Sequence, residues 1–543
     1  MHPAERADVP RTRRPGAADA PRHATACRRG RTGALAAVGG AIGGLAPPPV
    51  SLTPLALLVA LALLALAWRT ADGWRTAALA GVVWAVIGQV VPLSFVVTTV
   101  QRFTDLGVVG GLAGLCLLLG VQSLPWAVGG AAHALLRRRL GSPELVAFPV
   151  AVLVACSLPR PFGWTPASIL LDRPELVQTA EWLGERGTSV LVAAIIAVAV
   201  AVVPRSRSRP GAARVIVALL LASLLLGGLD RLGAARIASL DATAGRTVRV
   251  GLVDPDAPVH RRSAGPRDPR VLAPLRRLTV AAERRGAALV AWPESAYPIA
   301  LPHASGRITG GSADPRAPRT RAPLLLGLET RDRRRRPYNS AAVSTSDGRL
   351  GRPYDKLALL PIGERLPLAG VLPFLDELFP NASNVSPGSG PRLLHAPLPR
   401  GPALRIGVLI CFEAVRGDVA RALAGVGDGP DLLANLSNDA WFRGTTEPRL
   451  QELLARMRAI ELRRPMVRAT NGSPASVVDA AGRVRARRTG PAPAVLVADV
   501  PLRPADAPRT LHARLGDGPT WILALVVVLV TGPLRRRRAH QRT

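Results

Sequence analysis

A single lysine and an isolated cysteine are the first candidates for chemistry in this 543-residue chain. Lys356 is the only lysine among 70 lysines and arginines, and Cys411 is the only cysteine between residues 245 and 505. A composition that prefers arginine this strongly suggests that Lys356 fills a role that a planar guanidinium cannot fill. The alternative is chance, because one lysine must fall somewhere.

Cys411 ends the apolar stretch ALRIGVLI, which predicts a strand followed by a corner. Side chains at such corners often project into active sites, although a lone cysteine can also be a small buried hydrophobe. A thiol near its reference pKa of about 8.5 is mostly protonated at neutral pH, so a nucleophilic cysteine needs a base or a positive neighbour. The histidines of this region lie in polar or proline-rich segments, which disfavours a Cys–His pair.

Two further segments place charged residues beside predicted strands. Glu294 follows AALVAW, and Lys356 precedes a hydrophobic stretch with Glu364 eight residues further on. A carboxylate can accept the thiol proton, and an ammonium can stabilise a thiolate and the oxyanion of a tetrahedral intermediate. No His, Cys or Asp cluster has the spacing of metal ligands, so we expect no metal.

The elements that must position these residues are short strands mixed with helices. Helical periodicity over 270–285 and 446–463 predicts helices there. The stretches 301–322 and 380–402 are rich in Pro, Gly, Ser and Arg and are predicted as loops. This alternation indicates an α/β or α+β sandwich over 245–505. The predicted strands cover 247–253, 287–292, 323–329, 340–345, 403–410, 431–437, 465–470, 475–480 and 494–500.

The first 230 residues instead alternate long apolar runs with arginine-rich breaks. A spanning helix needs about 20 apolar residues. The first and fifth runs are weak, and a re-entrant or interfacial segment is their alternative. The runs cover 33–49, 51–68, 76–99, 106–136, 145–158, 188–204 and 212–229, with a last one at 519–534.

The arginines sort by the side of the membrane that these runs imply. With a cytoplasmic N-terminus, most arginines near the spans fall on the inside, and only Arg102, Arg160, Arg173 and Arg186 fall in outside connections. This bias follows the positive-inside rule and favours seven spans plus one, with 230–518 outside the cytoplasm.

The basic N-terminal region lacks a short cleavable apolar segment, so we expect no cleavable signal peptide. A disordered chain, a single soluble domain and a nucleic-acid binder are disfavoured, since 48% of the residues are hydrophobic and mean hydropathy is +0.23.

Five motifs, in this order, resemble the nitrilase (carbon–nitrogen hydrolase) superfamily. Joined to an N-terminal membrane bundle and a C-terminal span, they resemble the apolipoprotein N-acyltransferase family over about 33–534. The motifs are WPES with Glu294, YDKLALLPIGERLP with Lys356 and Glu364, GVLICFEA with Cys411 and Glu413, NLSNDAWF, and MRAIELRRPMVRATNGSPASVVDAAG.

The resemblance implies a multi-pass α-helical bundle of about eight spans carrying an extracytoplasmic αββα sandwich. It implies that Glu294 is the general base, Lys356 the oxyanion stabiliser and Cys411 the nucleophile, supported by Glu364 and Glu413. The expected segments are a basic cytoplasmic tail (1–32), a membrane domain of about seven helices (33–230), a catalytic domain (245–505), a C-terminal transmembrane helix (519–534) and a basic cytoplasmic tail (535–543).

The family's reaction is implied in the same way. A membrane phospholipid donates an acyl chain to the cysteine, and the thioester is then attacked by the N-terminal amine of a diacylglyceryl-cysteine apolipoprotein. We expect no cofactor, no nucleic acid and a monomer in the cell membrane with both termini cytoplasmic. The runner-up is a membrane-anchored nitrilase-type amidase that hydrolyses a small amide, using the same residues with water as the second nucleophile. A transporter or receptor is disfavoured because the runs contain few charged residues, and His133, near the end of a run, is the main one.

Some positions depart from the family pattern. Phe412 stands where a tyrosine is common, Asp254 where a Gln-containing motif is usual, and Ala440 where a glycine is common. The apolar residues Leu357–Leu360 and Leu366–Phe379 could form a lipid-facing lid or acyl groove, or simply pack under a loop. Arg331 and the run Arg333–Arg336 could contact lipid phosphates, but a solvated turn is favoured.

Overall fold

The chain folds into a helical bundle and a two-sheet sandwich, seen in a computed structural model. The residues that the structure describes are 20–201, 211–257, 272–308, 314–316, 320–360, 363–365, 384–488, 490, 492–504 and 506–540. The helices of the bundle are α1 (Ala20–Gly43), α2 (Leu55–Thr70), α3 (Trp74–Leu93), α4 (Phe95–Phe103), α5 (Gly107–Arg138), α6 (Glu144–Ser157), α7 (Pro166–Ile169), α8 (Ala180–Ala201) and α9 (Ala212–Ala242).

Four helices in the described part, namely α3, α5, α8 and α9, are long and apolar enough to cross a membrane. Three shorter apolar helices cover Leu55–Thr70, Glu144–Ser157 and Gly518–Gly532. Leucine and valine side chains cover the outward faces of α5 and α9, where Leu117 is 68% and Leu224 is 71% exposed. Apolar outer faces of this extent match lipid rather than water, so the chain is a membrane protein.

Several bundle helices differ in their bounds from the predicted apolar runs, and α1 and α3 differ most clearly. α1 begins at Ala20, inside the segment predicted as a tail over 1–32. The run predicted over 76–99 is divided at Ser94 into α3 and the short helix α4. Pro92 lies in the last turn of α3, where a proline ring disfavours continuation of a straight helix.

Within the described part of the chain, the first sheet of the sandwich has seven strands. Its strand order is β13-β1-β2-β4-β5-β6, with β3 beside β4. Strands β1, β2 and β4 run parallel, and β13 and β5 pair antiparallel on either side. The strands are β1 (Thr247–Asp254), β2 (Leu289–Ala291), β3 (Leu301–Pro302), β4 (Leu324–Arg331), β5 (Pro337–Ser344), β6 (Tyr354–Asp355) and β13 (Ala494–Pro501).

The second sheet has the order β12-β11-β10-β9-β8-β7. Its centre is parallel, because β8, β9 and β10 run in one direction. Parallel neighbours carry their carboxyl ends to the same edge, which brings the residues after β8 and β9 together. The strands are β7 (Leu393–Ala396), β8 (Leu404–Ile410), β9 (Leu432–Asn438), β10 (Met466–Asn471), β11 (Ser476–Val478) and β12 (Val484–Arg487).

The layers are helix, sheet, sheet and helix. Apolar side chains of both sheets form one core, and α10 (Leu272–Arg284) covers the first sheet. Helices α11 (Gly417–Ala424) and α12 (Glu447–Leu462) cover the second sheet. Helices α13 (Leu511–Leu515) and α14 (Gly518–His540) return the chain to the bundle. This is the predicted αββα arrangement.

The prediction of loops over 301–322 and 380–402 is wrong in part. β3 lies in the first stretch, and the buried strand β7 lies in the second. β7 is only four residues long and flanked by proline, so its sequence carries little periodicity. Pairing with β8 makes this segment a strand, although its local sequence does not indicate one.

Candidate active site

Three loops at one edge of the sandwich carry the predicted site residues. Glu294 lies three residues after β2, Lys356 directly follows β6, and Cys411 directly follows β8. Glu364 returns to the same place, because its Oε2 lies 2.8 Å from the Lys356 Nζ. Residues distant in sequence are therefore joined into one cluster by the ends of strands from both sheets.

The cluster centres on the buried ammonium of Lys356, which is 1% exposed. Its Nζ lies 3.7 Å from Glu294 Oε1 and closer to Glu364. Burial lowers the pKa of Lys356, but attraction to Glu364 and Glu294 outweighs burial and holds that pKa above the ordinary value. The ammonium is therefore charged at neutral pH, as oxyanion stabilisation requires.

The two carboxylates are held by further donors. Burial raises the pKa of Glu364, but Lys356 and the backbone N–H of Leu360 (2.9 Å) hold it below the usual range. Glu294 Oε2 accepts the backbone N–H of Asn438 at 2.9 Å. The side-chain amide of Asn339 donates to both carboxylates, at 2.7 Å to Glu294 and 2.9 Å to Glu364.

Cys411 stands at a strained corner. Its φ is +52°, in the left-handed region that non-glycine residues rarely adopt, and it opens a 3₁₀ helix that covers Cys411–Val415. Gln451 of α12 donates its amide to Cys411 Sγ at 3.9 Å. Burial, and then Glu294, raise the pKa of the Cys411 thiol well above its usual value, although Lys356 opposes them. The resting thiol is therefore protonated and requires a base.

Glu413 lies beneath this corner and ties two loops together. Its carboxylate accepts the backbone N–H groups of Leu357 (2.6 Å), Ala358 (3.0 Å) and Ile410 (2.8 Å), and the Tyr354 hydroxyl at 2.9 Å. Burial raises the pKa of Glu413, and Lys356 and the backbone donors oppose that rise. These contacts link the loop that carries Lys356 to the strand end that carries Cys411.

The other residues considered from sequence do not contribute side chains to the cluster. His303, which follows β3, contacts Asp355 at 2.8 Å. Leu357 and Ala358 pack against the core of the two sheets, whereas Leu366–Phe379 lie outside the described residues. Arg331 and Arg336 pair with Glu329 and Asp332 in an exposed hairpin turn, as the solvated-turn interpretation predicts.

The residues that depart from the family pattern contact neighbouring residues as follows. The Phe412 ring meets Phe162 of the bundle edge-on at 6.3 Å. Buried Asp254 pairs with Arg488 at 2.7 Å and accepts the Gly472 N–H at 3.0 Å. Gly472 has φ +78°, and a Cβ there would meet Ala440 at 3.0 Å. Among the described residues no group of three or more His, Cys, Asp or Glu could hold a metal ion.

Sequence reasoning missed the amide groups around the cluster. Asn339 lies within β5 and Gln451 within α12, where a polar side chain carries no signal of function in a single sequence. Asn438 lies inside the quoted NLSNDAWF motif, but its contribution is a backbone N–H, which no side-chain pattern could indicate.

Comparison with known proteins decides the family. Residues 171–507 match the carbon–nitrogen hydrolase model, and residues 39–198 match the apolipoprotein N-acyltransferase N-terminal domain. The apolipoprotein N-acyltransferase of Bradyrhizobium diazoefficiens is 31% identical over 404 residues, which are 70% of each chain. The chain belongs to the apolipoprotein N-acyltransferase family. This membership confirms the predicted enzyme class, an acyltransferase, and supports lipoprotein N-acylation.

Other members of the apolipoprotein N-acyltransferase family match over shorter stretches. The protein of Bdellovibrio bacteriovorus is 36% identical over 36% of this chain and 37% of its own. That of Geobacter metallireducens is 34% identical over 46% of this chain and 47% of its own. A solved amidase from Nesterenkonia sp. is 19% identical over 47% of this chain and 90% of its own, with a TM-score of 0.34.

Proposed function

We propose that this protein transfers an acyl chain from a membrane phospholipid to the N-terminal amine of diacylglyceryl-cysteine apolipoproteins. The observation that carries the proposal is the convergence of Glu294, Lys356 and Glu364 beside the strand end that presents Cys411. A nucleophile, a base and a buried cation at one sheet edge suit acyl transfer through a thioester. Lipid-anchored substrates explain why the sandwich is attached to a membrane bundle.

In the first half-reaction Glu294 takes the thiol proton of Cys411, and the thiolate attacks the ester carbonyl of the phospholipid. The oxyanion that forms is stabilised by the ammonium of Lys356. Collapse of the tetrahedral intermediate breaks the ester bond. Glu294 returns its proton to the departing alkoxide, which leaves as a lysophospholipid, and the acyl chain remains as a thioester on Cys411.

In the second half-reaction the free amine of the apolipoprotein attacks the thioester carbonyl. Glu294 accepts a proton from the attacking nitrogen and passes it to the departing Cys411 thiolate. The products are an amide and the free thiol, so no oxidant or cofactor is consumed. Glu364 keeps Lys356 charged, and Glu413 holds the loops of Lys356 and Cys411 in register.

The same proposal includes a topology. We assign eight spans, namely α1, α2, α3 with α4, α5, α6, α8, α9 and α14, with 245–505 as the extracytoplasmic catalytic domain and the basic segments 1–32 and 535–543 in the cytoplasm. Arg102, at the end of α4, donates to the backbone oxygens of Trp441 (3.3 Å) and Arg443 (3.0 Å) beside the site. The arginine-poor connections therefore face the sandwich, in line with the positive-inside rule. We propose that the protein acts as a monomer.

The decisive experiment uses Cys411→Ser and a phospholipid labelled in its acyl chain. We expect the wild type to retain label as a hydroxylamine-sensitive thioester and Cys411→Ser to retain none. Cys116→Ser, which alters an exposed cysteine of α5, is the matched control and should label like the wild type. Label on Cys411→Ser equal to that on the wild type would refute the assignment. Release of labelled free fatty acid without transfer to a lipopeptide amine would show that water, not the amine, resolves the thioester, and would contradict the proposed transfer.

A further inference from the structure

We propose that Asn339 is a positioning residue that holds Glu294 and Glu364 as a fixed pair of carboxylates around Lys356. The inference deepens the proposed function, because it concerns the same site. Asn339 lies in β5, is 3% exposed and is absent from the motifs that first indicated the site.

Asn339 contacts all three charged members of the cluster. The two hydrogens of its amide nitrogen go to different carboxylates, Glu294 Oε1 at 2.7 Å and Glu364 Oε1 at 2.9 Å. Its backbone oxygen accepts the N–H of Lys356 at 2.9 Å. Asn339, in the first sheet, therefore fixes the backbone position of Lys356 and the positions of both carboxylates.

The amide can take only one orientation. A flip about the terminal bond would place Oδ1 against two carboxylate oxygens within hydrogen-bond distance, where three acceptor oxygens would face one another with no hydrogen between them. Within the described residues Asn339 Oδ1 has no hydrogen-bond partner, so the side-chain hydrogen bonds that hold Asn339 all come from its amide nitrogen.

Lys356 and Asn339 do not hold the two carboxylates equally. Glu294 is the carboxylate that depends more on Asn339. Glu364 has the close contact with Lys356, at 2.8 Å, and Glu294 the distant one, at 3.7 Å. Asn339 gives its shorter bond to Glu294, and the Asn438 N–H at 2.9 Å is a second neutral donor to that carboxylate. The orientation of the proposed base therefore depends on neutral amide donors more than on the lysine.

Charge explains why an amide suits this position. Two carboxylates face one ammonium, and the titratable groups around them are Cys411, Glu413 and Asp439. A further carboxylate would repel the pair, and a further cation would compete with Lys356 for it. A neutral donor favours the ionised carboxylates without changing the net charge of the site.

The test compares Asn339→Ala, Asn339→Asp and the control Ser344→Ala. Ser344 is buried on the same strand, and its hydroxyl has no hydrogen-bond partner in the described part of the chain. We expect Asn339→Ala to slow acyl-enzyme formation by about 10- to 100-fold, because hydrogen bonds to charged groups are lost. The acidic limb of its pH–rate profile should move to higher pH, with KM for phospholipid little changed. Ser344→Ala should match the wild type.

Asn339→Asp keeps the shape of the side chain and covers the case in which Asn339→Ala does not fold. It should be at least as slow as Asn339→Ala, since a third carboxylate replaces the donor. A rate within about threefold of wild type would overturn the proposal. So would a loss of rate with an unmoved acidic limb and a lowered melting temperature, because that result indicates a structural role only.

A second readout separates this inference from the proposed function. Alkylation of Cys411 by iodoacetamide needs the thiol and its base but no lipid. If the wild type forms no acyl-enzyme, the proposed function fails, while slower alkylation of Asn339→Ala at pH 7 still supports the role of Asn339. Equal alkylation rates in wild type and Asn339→Ala would refute that role whatever the substrate is.

Discussion

At the scale of single residues, the chain keeps one lysine where shape matters as well as charge. Lys356 is buried between two carboxylates, with 2.8 Å to Glu364 and 3.7 Å to Glu294. A compact ammonium fits this space, whereas a guanidinium is planar, longer and donates in a fixed fork. The arginine-rich composition of the remaining chain makes this exception informative.

We predict that Lys356→Arg lowers the rate of acyl-enzyme formation by more than about 100-fold, although it keeps the positive charge. The planar guanidinium of arginine cannot reach the oxyanion position without displacing a carboxylate. The rate of labelling by phospholipid measures this. Arg405→Lys, in an ion pair with Asp431 at the far end of β8, is the control and should stay near wild type. Near-normal turnover by Lys356→Arg would make the lone lysine a coincidence.

The thiol itself gives a prediction on pH. Burial and Glu294 raise the pKa of Cys411 well above its usual value, so the neutral thiol dominates at pH 7 and the thiolate fraction grows about tenfold per pH unit below that pKa. Alkylation of Cys411 by iodoacetamide should therefore keep accelerating through pH 9. A plateau below pH 8 would instead indicate a preformed thiolate–ammonium pair.

At the scale of elements, α12 is the helix that connects the site to the bundle. Its apolar residues Leu450, Leu453, Leu454, Met457 and Ile460, whose helical spacing the sequence shows, pack in the core of the membrane helices. Its other face, with Ala455 and Ala459, packs against the sandwich. The periodicity predicts the helix, but only the tertiary structure shows that its apolar stripe faces the bundle.

Buried arginines of α12 strengthen this connection. Arg458 is 2% exposed and pairs with Glu185 of α8 and with Glu461 at 3.2 Å. Directly after the helix, Arg463 pairs with Glu181 of α8 at 2.8 Å. Removing one member of a buried pair leaves an uncompensated charge, so these ion pairs act against separation of the two parts of the molecule.

We predict that Arg458→Met destabilises the protein by about 3–5 kcal/mol, because Glu185 and Glu461 lose their shared partner. Thermal melting in detergent should show a clear fall in the midpoint. Arg416→Met, which breaks the exposed pair with Asp418, should cost less than about 1 kcal/mol. Similar melting of the two variants would mean that the buried ion pairs do not stabilise the junction.

At the scale of the whole molecule, the distribution of arginines and the contacts between bundle and sandwich favour the same orientation in the membrane. The connection before α5 reaches the catalytic side through Arg102, and the 160–173 connection through Phe162, which meets Phe412. Arginines are sparse in these connections and dense at the opposite ends of the helices. The distribution therefore favours a sandwich held on the extracytoplasmic face.

This orientation can be tested with single cysteines in a chain whose four native cysteines are replaced by alanine. We predict that Ser346→Cys, in an exposed turn of the sandwich, reacts with a membrane-impermeant maleimide in intact cells. Arg29→Cys, exposed in α1, should react only after the membrane is disrupted. Reaction of both before disruption, or of Arg29→Cys alone, would contradict the proposed topology.

The sequence by itself determined the elements and the family. Short apolar strands, long apolar runs and five ordered motifs depend on local patterning, so they predicted the sandwich, the membrane helices and the residues Glu294, Lys356, Cys411, Glu364 and Glu413. The family is confirmed by the comparisons, whereas the roles of these residues stay predictions.

Only the tertiary structure decided the contacts. It gave order to β7, whose short sequence has no clear period, turned the apolar stripe of α12 towards the bundle, and divided the run over 76–99 at Ser94. It also brought Asn339 against two carboxylates that lie 45 and 25 residues away along the chain. Such contacts depend on strand order and on the crossing of sheets, and no local pattern in a sequence encodes them.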